Sequence, residues 1–402
     1  MSALPSTFPL HAAPWSARPF FALLARLRHG CLVLRTPGGA QHTFGGADGP
    51  HAELEIRDWS ALGRLLRRAE IGLFEALRDG ALATPDMTAL LRLAIRNQQA
   101  LAGAFYGHPL VAAVGRIAHA LRANTRSGAR RNIHAHYDLG NAFYALWLDP
   151  GMTYSSALFA GDATGDLAAA QDAKYDRLLD AADVRPGHRV LEIGCGWGGL
   201  AERAARTRGC HVDGLTISRA QLAFARQRIA AAGLDDRVQL HLRDYRDEPG
   251  TYDRILSIEM LEAVGERYWP RYFTTVRDRL VPGGRAAIQS IVIAEEAFAR
   301  YRRSSDFIRE HIFPGGMLPT VSRIEAQARA AGLVAGEPYR FGRDYAETLR
   351  RWRSRFDAAE PQVRALGFDD AFFATWRFYF DLCEAGFEEG RIDVVQVELR
   401  RP

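Results

Sequence analysis

Lysine is almost missing from this chain: of 52 basic residues among 402, only Lys174 is a lysine, and the rest are arginine. Codon bias is the preferred reading of most of that skew; where arginines cluster, a local basic surface could attract the phosphates of lipid headgroups or of nucleic acid, within a net charge of +5. Cysteine is scarce as well. Cys31, Cys195, Cys210 and Cys383 lie far apart without a C-x-x-C pair, which argues against a zinc ribbon or a disulfide framework and fits cytosolic thiols. No run of about 18 apolar residues occurs, so no spanning helix is expected. Met1 to Ala17 also lacks the basic stretch and apolar core of a secretion signal. At 48% hydrophobic and 25% charged, 402 residues can build one large or two medium domains. No internal repeat is evident.

What is present falls into two rhythms. Between Ser16 and Tyr106, short strand patterns at Cys31–Leu34, Gln41–Phe44 and Ala52–Ile56 are punctuated by Gly/Pro turns. Helical patterns follow, around Leu62, Leu65 and Leu66 and around Leu90, Leu91, Leu93 and Ala94. This predicts a small α+β domain over 1–120, then an arginine-rich linker over 121–135. From Val184 strand and helix alternate: strands at Arg189–Ile193, His211–Leu215, Val238–Leu242, Tyr252–Ile258 and Arg285–Ile293, helices at Leu200–Arg206 and Ala220–Ala231. Such alternation predicts an α/β domain over 136–402 with a parallel sheet and helices on both faces, its ligand crevice at the carboxyl ends of the strands.

The first strand of that series runs into Glu192-Ile193-Gly194-Cys195-Gly196-Trp197-Gly198, an E-x-G-x-G-x-G loop opening a helix. Glycines there let a ligand approach bare backbone at a helix N-terminus. The spacing differs from the G-x-G-x-x-G of dinucleotide binders and resembles the first motif of class I S-adenosylmethionine (AdoMet) methyltransferases, in which the acid holds the ligand's ammonium. The second strand ends in Thr216-Ile217-Ser218, where a ribose-gripping carboxylate is usual; Thr216 and Gln221 stand in its place. The third ends at Asp244-Tyr245, read either as an adenine contact beside a stacking ring or as a loop cap.

Further motifs occur in order: His136-Tyr137-Asp138-Leu139-Gly140-Asn141, Tyr154-Ser155-Ser156-Ala157, Gly214 to Ser218, Asp244 to Asp247, Glu259-Met260-Leu261-Glu262 and Ile312 to Pro319. Together they resemble the cyclopropane-fatty-acyl-phospholipid synthase family, which includes the mycolic acid cyclopropane synthases, over roughly the whole chain. The resemblance implies a Rossmann-like, seven-stranded class I methyltransferase domain behind a lipid-binding-like module. It also implies an enzyme that moves the AdoMet methyl onto a cis double bond of a phospholipid acyl chain, with Tyr154, Ser155, Glu192, Gly194, Gly196, Gly198, Thr216, Ser218, Gln221, Asp244 and Tyr245 around the cofactor. In that family a bound bicarbonate is the base, held by a glutamate, a histidine, a tyrosine and backbone amides.

Carried over, the glutamate is Glu262, the tyrosine Tyr345, and the amides those of Ser156 and Ile291. Three positions depart: Ser156 replaces a cysteine, Ala263 a histidine, and Gln289 the strand histidine. Gln289 donates a hydrogen bond but carries no charge. Bicarbonate binding is therefore open, as is the product, either a cyclopropane or a methyl- or methylene-branched (or furan-precursor) chain; a small-molecule O- or N-methyltransferase and a module without catalysis are the more distant readings. Ala294 to Thr320, with aromatics among Arg300, Arg302, Arg303 and Arg309, reads either as an acyl-binding surface or as a core helix with a solvated face. The arginines at 64, 67 and 68 and at 122, 126, 130 and 131 could meet lipid phosphates. The expected setting is cytoplasmic, peripheral to the inner face of a membrane, with no nucleic acid and no metal; a homodimer is compatible.

Overall fold

The computed structural model describes residues 14–105, 139–162 and 164–402. The expected linker at 121–135, its arginines and the His136-Tyr137-Asp138 motif lie outside the described residues. Two compact units emerge. The first joins the N-terminal module to two later pieces of chain, 304–311 and 368–391; the second holds the remainder from 139 on. The run expected as one domain over 136–402 thus contributes two segments to the first unit.

In the first unit, strands β1 (Cys31–Arg35), β2 (Gln41–Gly45), β3 (His51–Ile56) and β4 (Leu82–Ala83) form a sheet in the order β2-β1-β3-β4, with β1 and β3 parallel. Alternation explains the buried face: Leu32 and Leu34 of β1 and Ala52, Leu54 and Ile56 of β3 point inward. Helix Ser60–Arg78 buries Leu62, Leu65 and Phe74 and is interrupted at Ala69, whose φ is +48°. Phe74, Phe307 and Phe378 meet with centroids 4.7 to 5.3 Å apart, so segment 304–311 and helix Asp370–Glu388 share this core. Two of the arginines expected to face lipid are engaged at home: Arg64 pairs with Asp79 at 2.6 Å, and Arg68 pairs with Glu75 and Glu310.

The second unit is a sheet of β5 (Arg189–Ile193), β6 (His211–Thr216), β7 (Val238–Leu242), β8 (Tyr252–Ile258), β9 (Leu280–Ile293), β10 (Val334–Ala335), β11 (Tyr339–Arg340) and β12 (Ile392–Arg400), ordered β10-β12-β9-β8-β5-β6-β7 with β11 also on β12. Strands β5 to β9 are parallel, as expected, but β12 runs antiparallel to β9. Instead of seven strands there are eight, because the edge beside β12 is two two-residue pieces separated by Gly336-Glu337-Pro338, and proline cannot donate to a ladder. Each strand feeds both faces: Leu191 and Ile255 pack with Trp269 and Phe273, while Val190 and Leu256 pack with Leu178, Leu200 and Ala225. The carboxyl ends of β5, β6, β7 and β8 therefore present Glu192, Thr216, Asp244 and Glu259 along one rim. No helix among the described residues is long and apolar enough to cross a membrane.

Candidate active site

At the end of β5 the three loop glycines have φ of +85°, +51° and +83°. They serve different ends. A Cβ on Gly194 would meet Met260 at 3.1 Å and one on Gly198 would meet Ala225 at 3.1 Å, whereas nothing lies within 4 Å of the place a Gly196 Cβ would take. Gly194 and Gly198 permit packing, and Gly196 leaves open space where a ligand can lie against backbone. Behind it Glu192 is buried, and its Oε2 has no hydrogen-bond partner among the described residues. Burial pushes this carboxyl up to about 8, against the opposing charges of Lys174 and Arg228. A buried carboxylate oxygen without a donor fits a cationic ligand group, so the residues present suit the ammonium of AdoMet.

The next strand ends place the rest. Thr216 Oγ1 lies 3.1 Å from Gln221 Oε1 and accepts from the Ser218 amide, and Ser218 caps the helix Arg219–Ala231 by accepting from the Gln221 amide. Asp244 caps its own turn and accepts from Arg246 through Nε at 2.8 Å and Nη2 at 2.5 Å. The loop cap, one of its two sequence readings, is thus formed. Tyr245 is half-buried edge-on to Tyr272. Tyr154 sits in an aromatic wall with Tyr144, Trp147 and Trp352 at 5.4 to 5.5 Å and stacks toward Phe313. Ser155 is buried and accepts from Lys174.

The residues expected to hold an anion converge on a protein carboxylate instead. Glu259 Oε1 accepts from the Ser156 amide at 2.9 Å and from Gln289 Nε2 at 2.8 Å, and Oε2 accepts from Tyr345 Oη at 2.7 Å. Gln289 is oriented in turn by Gln396, whose Nε2 donates to its Oε1 at 3.0 Å. The remaining two members stand apart: Glu262 Oε1 accepts from the Ile291 amide and from Ser290 Oγ, and its Oε2 is buried without a partner among the described residues. One cradle was expected, and two are found. Burial, then the neighbouring Glu259, push Glu262 up to about 8, which favours its neutral form near pH 7. Burial also raises Glu259, but the Ser156 amide, Lys174, Tyr345 and Gln289 all oppose it. Three donors aimed at one acceptor-only group favour its ionised form. Bicarbonate does not fit this arrangement, because its donors are already taken.

Glu259 escaped the sequence reading although it opens the quoted Glu259-Met260-Leu261-Glu262 motif. The signal was there: two acids three residues apart at a strand end. In the structure its backbone has a φ of +49°, a conformation that a residue with a side chain adopts at a cost. Farther along, the arginines of the expected acyl surface turn to protein partners. Arg302 pairs with Glu266 at 2.6 Å, Arg303 donates to the Ala299 carbonyl and Arg309 pairs with Asp306, while Phe298 is core.

Residues 124–397 match the family model of mycolic acid cyclopropane synthetase. The chain belongs to that family. Among its relatives, the tuberculostearic acid methyltransferase UfaA1 of Mycobacterium tuberculosis is 41% identical over 89% of this chain and 85% of its own length. A cyclopropane-fatty-acyl-phospholipid synthase of Escherichia coli K12 is 35% identical over 87% of this chain and 88% of its own. The solved mycolic acid cyclopropane synthase CmaA1, complexed with SAH and CTAB, superposes with a TM-score of 0.64 at 31% identity, over 68% of this chain and 98% of that one. As a member of this family, whose relatives act on lipid acyl chains, the protein is an AdoMet-dependent methyltransferase with a class I fold.

Proposed function

We propose that this methyltransferase adds a methyl group to a cis double bond of a phospholipid acyl chain and that Glu259, built into the chain, is the base that finishes the reaction. The carrying observation is the Glu259 carboxylate seated on the Ser156 amide, Gln289 and Tyr345. AdoMet, when bound, supplies an electrophilic methyl group. An alkene is a poor nucleophile, so the aromatic wall around Tyr154 serves to exclude water and align the acyl chain. Methyl transfer leaves a cation on the neighbouring acyl carbon, one C–H bond then breaks, its proton passes to Glu259, and the lipid has gained CH₂.

Which proton leaves decides the product. Loss from the new methyl with ring closure gives a cyclopropane; a hydride shift from the methylated carbon before that loss gives a methylene branch. The methylene branch is the favoured reading, supported by the loss of the bicarbonate cradle and by the 41% identity to a methyltransferase named for tuberculostearic acid. The cyclopropane is kept as the second reading by the Escherichia coli relative. Work at the inner surface of a membrane is supported by Trp15, 81% exposed, and by exposed Arg18, Arg26 and Arg28, which have no ion pair among the described residues.

The test is turnover on vesicles of a monounsaturated phospholipid, with and without bicarbonate. Wild type should give the CH₂ mass gain at one rate in both buffers, with olefinic methylene protons in the product NMR spectrum, and E259Q should lose about 10²- to 10⁴-fold. A wild-type rate that collapses without bicarbonate overturns the built-in base; upfield ring protons assign the cyclopropane.

A further inference from the structure

The chain's single lysine lies in the wall of this site. Lys174 stands on helix Leu167–Ala181, is fully buried, and directs Nζ to Ser155 Oγ at 2.6 Å and over the Tyr175 ring at 4.2 Å. Three carboxylates feel its charge: Glu259, Asp149 and Glu192. It bears on Glu259 twice, through space and through Ser155, whose neighbour Ser156 donates its amide to Glu259. The same helix grips that turn again, since Gln171 donates to the Ser155 carbonyl at 2.9 Å. Gln396 donates both to the Lys174 carbonyl and to Gln289, linking the helix to a second ligand of Glu259.

AdoMet carries one net positive charge, so with Glu192 and Glu259 ionised, Glu262 neutral and Lys174 charged these groups sum to zero. Outside that sum, Asp149 is held by the Gly151 and Thr153 amides, and Arg228, which also acts on Glu192, is paired with Glu202. Without Lys174 two buried carboxylates would share a single cation, and one would take up a proton. Elsewhere this chain uses arginine, yet here it keeps the compact ammonium. A guanidinium is planar, needs more acceptors and does not fit a point contact with one hydroxyl.

We propose that Lys174 is the internal counter-cation of the active site, a positioning residue whose ammonium balances Glu259 and holds the Ser155–Ser156 turn against it. This rests on Glu259 being the base. The groups facing Glu259 are Lys174, Tyr345, Gln289, Glu262 and the Ser156 amide; those facing Lys174 are Glu259, Asp149, Glu192, Ser155 and the Tyr175 ring. Removing a buried cation from beside a carboxylate moves that carboxylate's titration upward.

The experiment uses the full chain as K174M, K174R and S155A. It reads the pH profile of kcat on monounsaturated phospholipid vesicles and, without turnover, the infrared C=O band of the protonated acid, assigned by its loss in E259Q. In K174M both the acidic limb and the Glu259 band should move up by about one pH unit or more. S155A keeps the charge, so its limb should stay in place while kcat falls. A K174M limb and band that coincide with wild type overturn the proposal. Should K174M not fold, K174R decides: a fixed charge must hold the Glu259 band at or below its wild-type pH, and an upward shift overturns the assignment. Wild-type turnover in E259Q would instead mark failure of the base itself.

Discussion

Glu192 shows how one buried side chain can couple binding to pH. Its carboxyl is pushed up to about 8 by burial, so near neutrality it is largely protonated while the cofactor is away. Its unpartnered Oε2 points to a cation as the missing partner. A cationic ammonium stabilises the ionised form, so loading AdoMet must expel that proton, and affinity should rise with pH from 6 and level off above about 8. Calorimetry in buffers of different ionisation enthalpy should report release of up to about one proton at pH 7. E192Q should bind more weakly and release none; proton release that survives in E192Q would move the effect to another group.

At the scale of elements, the end of β8 and the turn after it decide the chemistry. Glu259 sits there with φ of +49°, a conformation a side chain adopts at a cost and glycine adopts freely. E259G should therefore leave the turn intact while emptying the cradle, so that the Ser156 amide, Gln289 and Tyr345 face a free anion site. Turnover should fall with the base and return when bicarbonate is added. E259G/Q289H should need about tenfold less bicarbonate, because a charge-assisted bond contributes about 1.5–3 kcal/mol. No rescue at any bicarbonate concentration would show that the three donors do not define an anion site. This turn also marks the limit of what the sequence makes legible. Strands β5, β7 and β8 fall where apolar runs between turn residues put them, because those patterns are local. The antiparallel β12 and the split edge of β10 and β11 depend on pairing far along the chain, which periodicity does not encode. Likewise Ser156, Gln289 and Tyr345 were legible as one group, but the side chain at their centre was not, because a neighbouring acid satisfied the same pattern.

Across the whole molecule, the proposed membrane contact would fall to groups that are not spent within the fold. Arg64, Arg68, Arg302 and Arg309 are paired with protein acids, so their charge is largely cancelled at short range. Trp15, Arg18, Arg26 and Arg28 remain exposed around helix Arg18–Leu24, whose other face buries Phe20, Phe21, Leu23 and Leu24 in the first unit. An exposed indole and guanidinium groups with no ion pair among the described residues suit the headgroup layer of an anionic bilayer. Deleting residues 1–120 would be a poor test, because Phe307 and Phe378 would lose the core they share with Phe74. Substituting R18Q/R26Q/R28Q leaves that core alone. Near an anionic surface each arginine contributes about 1 kcal/mol, so the triple variant should bind such vesicles about two orders of magnitude more weakly at low salt. The difference should shrink as the Debye length falls below about 10 Å, and W15S should weaken binding at every salt concentration. Vesicle co-sedimentation across a salt series measures both. A triple variant that sediments as wild type does at low salt would place the lipid-facing surface elsewhere on the chain.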